Sequence, residues 1–162
     1  MDVKLTNQMM GVNDAKVASK TGGYRDLLVW QKGITLAKMI YKLTAEFPSE
    51  EKYGLISQMR RAAVSIPSNI AEGQARNTTG EFILFISHAE GSLAELNTQL
   101  ILSVEFGYVT PQQITICADL MEELRRMLNS LRRSIDSRKS AVKRVKPEAP
   151  PLTHHSSLVT RH

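Results

Sequence analysis

Four stretches of the chain place apolar residues three and four positions apart, the spacing that lines one face of an α-helix. In the first, Leu27, Trp30, Ile34, Ala37, Tyr41 and Thr44 keep that step until Phe47-Pro48 stops it. The second runs through Leu55, Met59, Ala62, Ile66 and Ile70, with Ser49 as the expected N-cap and Glu50 and Glu51 at the positive end of the helix dipole. The third opens at Thr78 and Glu81, a capping-box pair, and continues through Phe82, Phe85, Ala89, Leu93, Leu96 and Leu100 to Gly107. The fourth opens at Thr110, with Pro111 at the first helical position and Gln113 closing the box, and its seam is Leu120, Leu124, Leu128, Leu131 and Ile135. No stretch sustains the period-two alternation of a half-buried strand. Short connections near residues 48–49, 77–78 and 107–110 force neighbouring helices antiparallel. The expected class is all-α, as an up-down-up-down antiparallel four-helix bundle.

The segment "RRAAVSIPSNIAEG", residues 60–73, strains this reading, because Pro67 lacks the amide that would bond the Ala63 carbonyl. Ala62 and Ile66 before the proline and Ile70 after it stay in phase, which favours one bent, continuous helix. A break at Ser65-Ile66 is the alternative. Polar residues in and after the segment also fall in register: Arg61, Ser65, Asn69 and Glu72 form one stripe, and His88, Ser92 and Glu95 form its counterpart on the third helix. A turn at about 77–80 sets Arg61 opposite Glu95, Ser65 opposite Gly91 and Asn69 opposite Ser87-His88. Gly91, without a Cβ, is expected where the two backbones approach most closely. Such a stripe serves either to fix the helices' register or to hold a ligand or partner.

Composition refines the boundaries. Residues 1–23 hold no sustained period and end in Gly22-Gly23; residues 139–162 are basic and contain Pro, Ser and His. These read as a flexible leader and a disordered tail around a bundle at 24–138. With 42% hydrophobic residues, the bundle can bury a core without disulfides or metal. The single cysteine, Cys117, excludes an internal disulfide framework and suits a reducing cytoplasm. Neither a signal peptide nor a membrane span is expected, since no run of 18 apolar residues occurs.

Net charge is +5, and much of the excess lies towards the C-terminus. Arg125-Arg126 and Arg132-Arg133 recur one heptad apart, off the apolar seam, and Lys139, Lys143 and Arg144 extend the charge. That stripe reads as a phosphate-binding surface, salt-dependent and indifferent to sequence, or as a solvated face that only keeps the chain soluble. Trp30, Phe47, Phe82 and Phe85 sit on seams, so base stacking is not expected. Chemistry is sparse. His88 is the one histidine of the bundle segment, and His154, His155 and His162 fall in the tail, too few convergent ligands for a metal. Ser65 or Ser92 beside His88 lacks an evident oxyanion hole, so neither catalysis nor a cofactor is expected.

The strings "YRDLLVWQKG", "EFPSEEKYGLISQMRRAAVSIPSNIAEGQARNTTGEF" and "GSLAELNTQLILSVEFGY" resemble the bacterial 23S rRNA intervening-sequence proteins, over about residues 24–136. More distantly, the chain resembles the basic accessory proteins of diversity-generating retroelements. The resemblance implies a small bundle that assembles as a homopentamer, and it implies no enzymatic activity. The family's signature falls on Arg61, Ser65, Pro67, Asn69, Glu72, Gly73, Gly91, Ser92 and Glu95. Gly33, where alanine is common, and Glu90, where an apolar residue is usual, depart from it. Ile83, Ile86, Ile101 and Leu102, partly off the seam of the third helix, are expected to leave apolar surface for a neighbouring copy. The function expected is a homo-oligomeric basic scaffold for RNA or for an RNA-handling protein, the alternative being a structural adaptor that binds no nucleic acid.

Overall fold

A computed structural model describes residues 22–145, with side chains described through residue 137. Four long helices account for most of it: α1 (Leu28–Leu43), α2 (Leu55–Gln74), α3 (Thr79–Glu105) and α4 (Pro111–Val145). Short 3-10 turns at Tyr24–Asp26, Thr44–Glu46 and Ser49–Tyr53 carry the chain into α1 and from α1 to α2, and there is no strand among the described residues. Each helix packs on its two sequence neighbours, and α1 closes the ring against α4. Residue numbers rise on one helix as they fall on the next: Gly33 and Thr44 of the α1 side face Pro67 and Arg60, and Ser65 and Gly73 of α2 face Ser92 and Phe85. The bundle is therefore antiparallel.

Local chemistry explains most of the helix ends. At α4 the Gln113 amide donates to the Thr110 hydroxyl at 3.4 Å and the Thr110 amide donates to Gln113 Oε1 at 2.7 Å, a reciprocal box. At α3 the Thr78 hydroxyl accepts from the Glu81 amide at 3.2 Å, while Glu81 turns its carboxylate onto that same hydroxyl at 2.6 Å. The C-terminus of α3 closes at Gly107, whose φ of 74° places it in the left-handed region. Its amide donates to the Val104 carbonyl and that of Tyr108 to the Ser103 carbonyl, the paired bonds of a Schellman ending.

Ser49 is not the N-cap of α2. It lies in the 3-10 turn, and the helix starts at Leu55, where Glu51 Oε2 accepts the Leu55 amide at 2.8 Å. A carboxylate four residues before the helix thus does what the serine was expected to do, with the dipole in its favour. The other Glu51 oxygen accepts from the Tyr108 hydroxyl at 2.9 Å, which ties the start of α2 to the α3–α4 turn, and Phe47 packs on the Tyr108 ring.

The core runs along the bundle axis: Leu36, Ile40, Met59, Ile66, Ile70, Ile86, Leu96, Leu100, Leu124 and Leu128 are fully buried. Two phases differ from expectation. On α1 the buried line is Val29, Gly33, Leu36 and Ile40; Trp30, Ile34 and Ala37 lie on its shoulder and Tyr41 is exposed. On α4, Cys117 and Met121 are buried while Leu120 and Leu131 are half-buried. Burial raises the Cys117 thiol above its ordinary pKa, keeping it neutral.

α2 passes unbroken through Pro67, which is buried along with Ala62, Ala63, Ile66, Ile70 and Gly73. Gly33 of α1 sits against the proline, where a Cβ would lie 3.4 Å from Pro67 Cβ and Cδ. The close approach of α2 to α3 occurs at Gly73, not at Gly91. A Cβ on Gly73 would fall 2.6 Å from Phe85 Cβ and 2.9 Å from Phe82 Cδ2, whereas Gly91 is exposed with nothing within 4 Å. Ile86 is also corrected, being wholly buried and unable to offer surface to a neighbour. Exposed apolar side chains on α3 are instead Leu84, Ile101 and Leu102, followed by Phe106 beyond its end.

Candidate nucleic-acid interface

The α4 stripe is exposed as its position off the seam predicts, but its four arginines are not equivalent. Arg125 donates from Nε and Nη2 to both oxygens of Glu122, at 2.8 and 2.7 Å, and this fork holds the Glu122 carboxyl below the usual carboxylate range. Arg132 donates to Asn129 Oδ1 at 3.1 Å, and its Nε lies 3.4 Å from Glu90 Oε1 across the α3–α4 seam. Glu90 therefore offsets the charge of an arginine, and its Oε1 is buried without a hydrogen bond. Arg126 and Arg133 are exposed and make no direct ion pair among the described residues, although the Glu122 carboxylate, one turn before Arg126, also feels its charge. The backbone of α4 carries on through Lys139, Lys143 and Arg144, whose side chains lie outside the described residues.

The polar stripe divides. Its centre is a hydrogen-bonded link between helices: Asn69 Nδ2 donates to the carbonyl and the hydroxyl of Ser65, both at 2.9 Å, and the Ser92 hydroxyl lies 3.0 Å from the Ser65 hydroxyl and 3.0 Å from the His88 carbonyl. His88 contributes that carbonyl, while its ring stands edge-on to Phe85 at 5.6 Å and bonds neither serine. Glu72 pairs with Arg76, whose guanidinium lies 4.8 Å over the Phe85 ring. Arg61 and Glu95 do not pair. Both are exposed, and Glu95 accepts instead from Gln99 Nε2 at 2.9 Å. Solvating two such rim charges costs less than immobilising both side chains in one contact.

Arg61 belongs to a different feature. Between the end of α1, the Ser49–Tyr53 turn and the first half of α2 lies an open cleft of about 570 Å³, floored by buried Ile56 and bordered by Tyr41, Lys52, Tyr53, Arg60 and Arg61. Among the described residues no carboxylate lines it. Arg60 is held in place: its Nε donates to the buried Thr44 hydroxyl at 2.8 Å, that hydroxyl donates to the Ile40 carbonyl at 2.8 Å, and the guanidinium lies 4.7 Å over the Tyr41 ring. Tyr53 is 87% exposed, with Lys52 Nζ 5.5 Å from its ring centroid. Aromatics therefore do accompany arginines on this molecule, at a place the seam pattern did not mark. The helical spacing of α1 puts Tyr41 on the apolar seam, yet its ring is exposed. Tyr53 carried no helical period at all; the one sequence signal was its place beside a lysine in a polar turn.

A ring of four antiparallel helices, with a cationic last helix and a second cationic cleft, defines an all-helical bundle class. The family model described as 23S rRNA-intervening sequence protein matches residues 25–130, and the chain belongs to that family. In fold it is similar to the crystal structure of a protein of unknown function from the S23 ribosomal protein family of Bacteroides thetaiotaomicron, with a TM-score of 0.58 and 23% identity over 64% of this chain and 97% of that one. No curated protein matches the chain. Among the described residues no helix is long and apolar enough to cross a membrane.

Proposed function

We propose that the protein is a non-enzymatic, homo-oligomeric basic scaffold, working in the cytoplasm, that binds RNA or an RNA-handling protein through charge rather than sequence. The observation that carries this reading is the pair Arg126 and Arg133, exposed one heptad apart on α4 and in no direct ion pair among the described residues. The same helix continues into Lys139, Lys143 and Arg144. Exposed Leu84, Ile101 and Leu102 on α3 support self-association, a pentamer being the stoichiometry the family resemblance implies. Repetition around such an assembly multiplies the potential of each stripe.

One observation favours the alternative, an adaptor that binds no nucleic acid: Glu122 and Glu90 offset Arg125 and Arg132, two of the four arginines of the stripe. A filter-binding titration of RNA at two salt concentrations decides between the readings. Replacing Arg126 and Arg133 with glutamine should weaken binding and flatten the log–log salt dependence by about 0.7 to 0.9 per charge. Replacing Arg125 and Arg132 should do less. Binding unchanged in the first variant would remove α4 as the RNA surface, and a parent that binds no RNA at either salt concentration would leave the adaptor. Light scattering that returns the monomer mass of 18.1 kDa at micromolar concentration would remove the oligomer.

A further inference from the structure

We infer that the cleft between α1 and α2 is a binding site for single-stranded RNA, in which Tyr53 stacks a base while Arg60, Arg61 and Lys52 take the adjoining phosphates. The inference rests on the RNA-binding reading and deepens it, because it moves sequence-independent recognition of single strands away from α4. Three features of the cleft point the same way.

The first is uncompensated charge. Three cations line the cleft, and among the described residues no carboxylate does. The acidic residues of the neighbouring turn are directed elsewhere: Glu51 is engaged by the Leu55 amide and the Tyr108 hydroxyl, and Glu50 by the Ser49 hydroxyl. The second cavity, beside α4, contrasts with this, since Glu90 and Glu122 line it together with Arg125.

The second feature is preorganisation. Arg60 is fixed at Nε by buried Thr44 and supported by the Tyr41 ring, which leaves its terminal nitrogens to meet a phosphate as a fork. Arg61, on the next residue of α2, has no partner among the described residues.

The third feature is Tyr53. An aromatic ring 87% exposed in a turn gains nothing from the core of its own chain. With Lys52 near one face, the rest of the ring is accessible to a base, and base–aromatic stacking beside a cationic track is how single strands are held without sequence preference. A duplex hides its base faces inside its own stack and offers only phosphates. A volume of about 570 Å³ lies within the range of small-ligand pockets rather than that of a surface for a whole duplex.

The test compares the full chain with Tyr53→Ala, Tyr53→Phe and Arg61→Gln in fluorescence-anisotropy titrations. The probes are a short mixed-sequence single-stranded RNA and the duplex it forms with its complement. Tyr53→Ala should weaken single-strand binding by about fivefold or more, the loss expected for one stacked base, while duplex binding stays unchanged. Tyr53→Phe, which keeps the ring, should bind as the parent does. Arg61→Gln should lower the single-strand salt slope by about 0.7. Tyr53 is exposed, so these variants fold, as circular dichroism will verify. If Tyr53→Ala and Arg61→Gln bind the single strand as tightly as the parent, the cleft assignment falls and the α4 reading stands. Should the parent bind neither RNA, both fall together.

Discussion

The outer face of α4 and the cleft between α1 and α2 both gather arginines, yet they differ in what surrounds each guanidinium. On α4, Arg125 lies in the fork of Glu122 and Arg132 faces Glu90 from the next helix. In the cleft, Arg60 is held by a neutral hydroxyl and an aromatic ring, and Arg61 by nothing among the described residues. A count of basic residues ranks α4 first. The charge left uncompensated ranks the cleft beside it, because a carboxylate within hydrogen-bonding distance cancels a cation's field at the range where a phosphate would feel it.

The two surfaces also depend differently on the fold. The α4 stripe needs only its own helix, whereas the cleft needs α2 set at a fixed distance from its neighbours. Gly73→Ala tests this with the largest effect. The added Cβ would strike Phe85 and Phe82, so α2 and α3 must separate, at a cost of about 1–3 kcal/mol in urea denaturation. Charge-driven binding at α4 should not change, and the cleft, which lies at the other end of α2, should weaken only as far as the bundle as a whole loosens. Gly91→Ala is the control: with open space around it, helix propensity alone should make that variant neutral or more stable by up to about 1 kcal/mol. Equal losses from both glycines would mean that α2 and α3 do not meet at Gly73.

A smaller effect is expected from Thr44→Val. The valine keeps the volume but removes the hydroxyl that accepts from Arg60 and donates to Ile40, so stability should fall by about 1 kcal/mol. Arg60 would also lose its orientation, and the cleft should lose affinity for single strands. Removing a carboxylate from α4 should act in the opposite sense: Glu122→Gln frees Arg125 and should strengthen RNA binding, with less than about 1 kcal/mol of change in stability for an exposed pair. If both variants weaken RNA binding alike, the distinction between compensated and uncompensated cations is wrong.

Smaller still is Arg61→Ala. Had Arg61 and Glu95 formed a buried pair, either truncation would cost about 3–5 kcal/mol. With both exposed and apart, Arg61→Ala should stay within about 0.5 kcal/mol, Glu95→Ala should cost about 1–3 kcal/mol by leaving the buried Gln99 amide without its acceptor, and the double variant should be additive. A measurable coupling energy between them would restore the pair.

These residues also show how far the sequence could be read. Caps at Thr78, Thr110 and Gly107 are local chemistry, written within a few residues, and they fall where the pattern placed them. The passage of α2 through Pro67 was legible because the apolar phase is kept on both sides of it. The phase of α1 was not, since "LVWQKGITLAKMIYKL" is apolar around much of its circumference and the buried line through Gly33 is chosen by Pro67 on the facing helix. The antiparallel register was accurate to about one residue. That brought Ser65 to Ser92, but it was too coarse to tell Gly91 from Gly73 as the point of closest approach. The Glu122–Arg125 pair, three residues apart on one helix, is legible in the sequence; the Glu90–Arg132 contact needs two helices and is not. Tyr53 and the cleft depend on how a turn folds back over α2, which no period records.

The mildest test concerns Glu51, whose carboxylate belongs to the turn that borders the cleft. The Leu55 amide, and after it the Tyr108 hydroxyl, hold its pKa below the ordinary carboxylate value. A group depressed in the folded state contributes stability that is present above its unfolded pKa and is lost as pH falls through the folded one. The Tyr108 hydroxyl is raised by the same bond, so its contribution is present below the ordinary tyrosine pKa and is lost as pH rises through the folded value. Glu51→Gln keeps an oxygen for the Leu55 amide and removes the titrating charge. Urea midpoints measured across the carboxylate range, about pH 3 to 6, should therefore fall less steeply towards acid in Glu51→Gln than in the parent. Tyr108→Phe should soften the same acid limb in part, because one of the two bonds that depress Glu51 is gone, and should also flatten the alkaline one. Parallel acid limbs in the parent and Glu51→Gln would mean that Glu51 does not cap α2 in solution. The turn carrying Lys52 and Tyr53 would then lack the anchor that sets it beside Arg60.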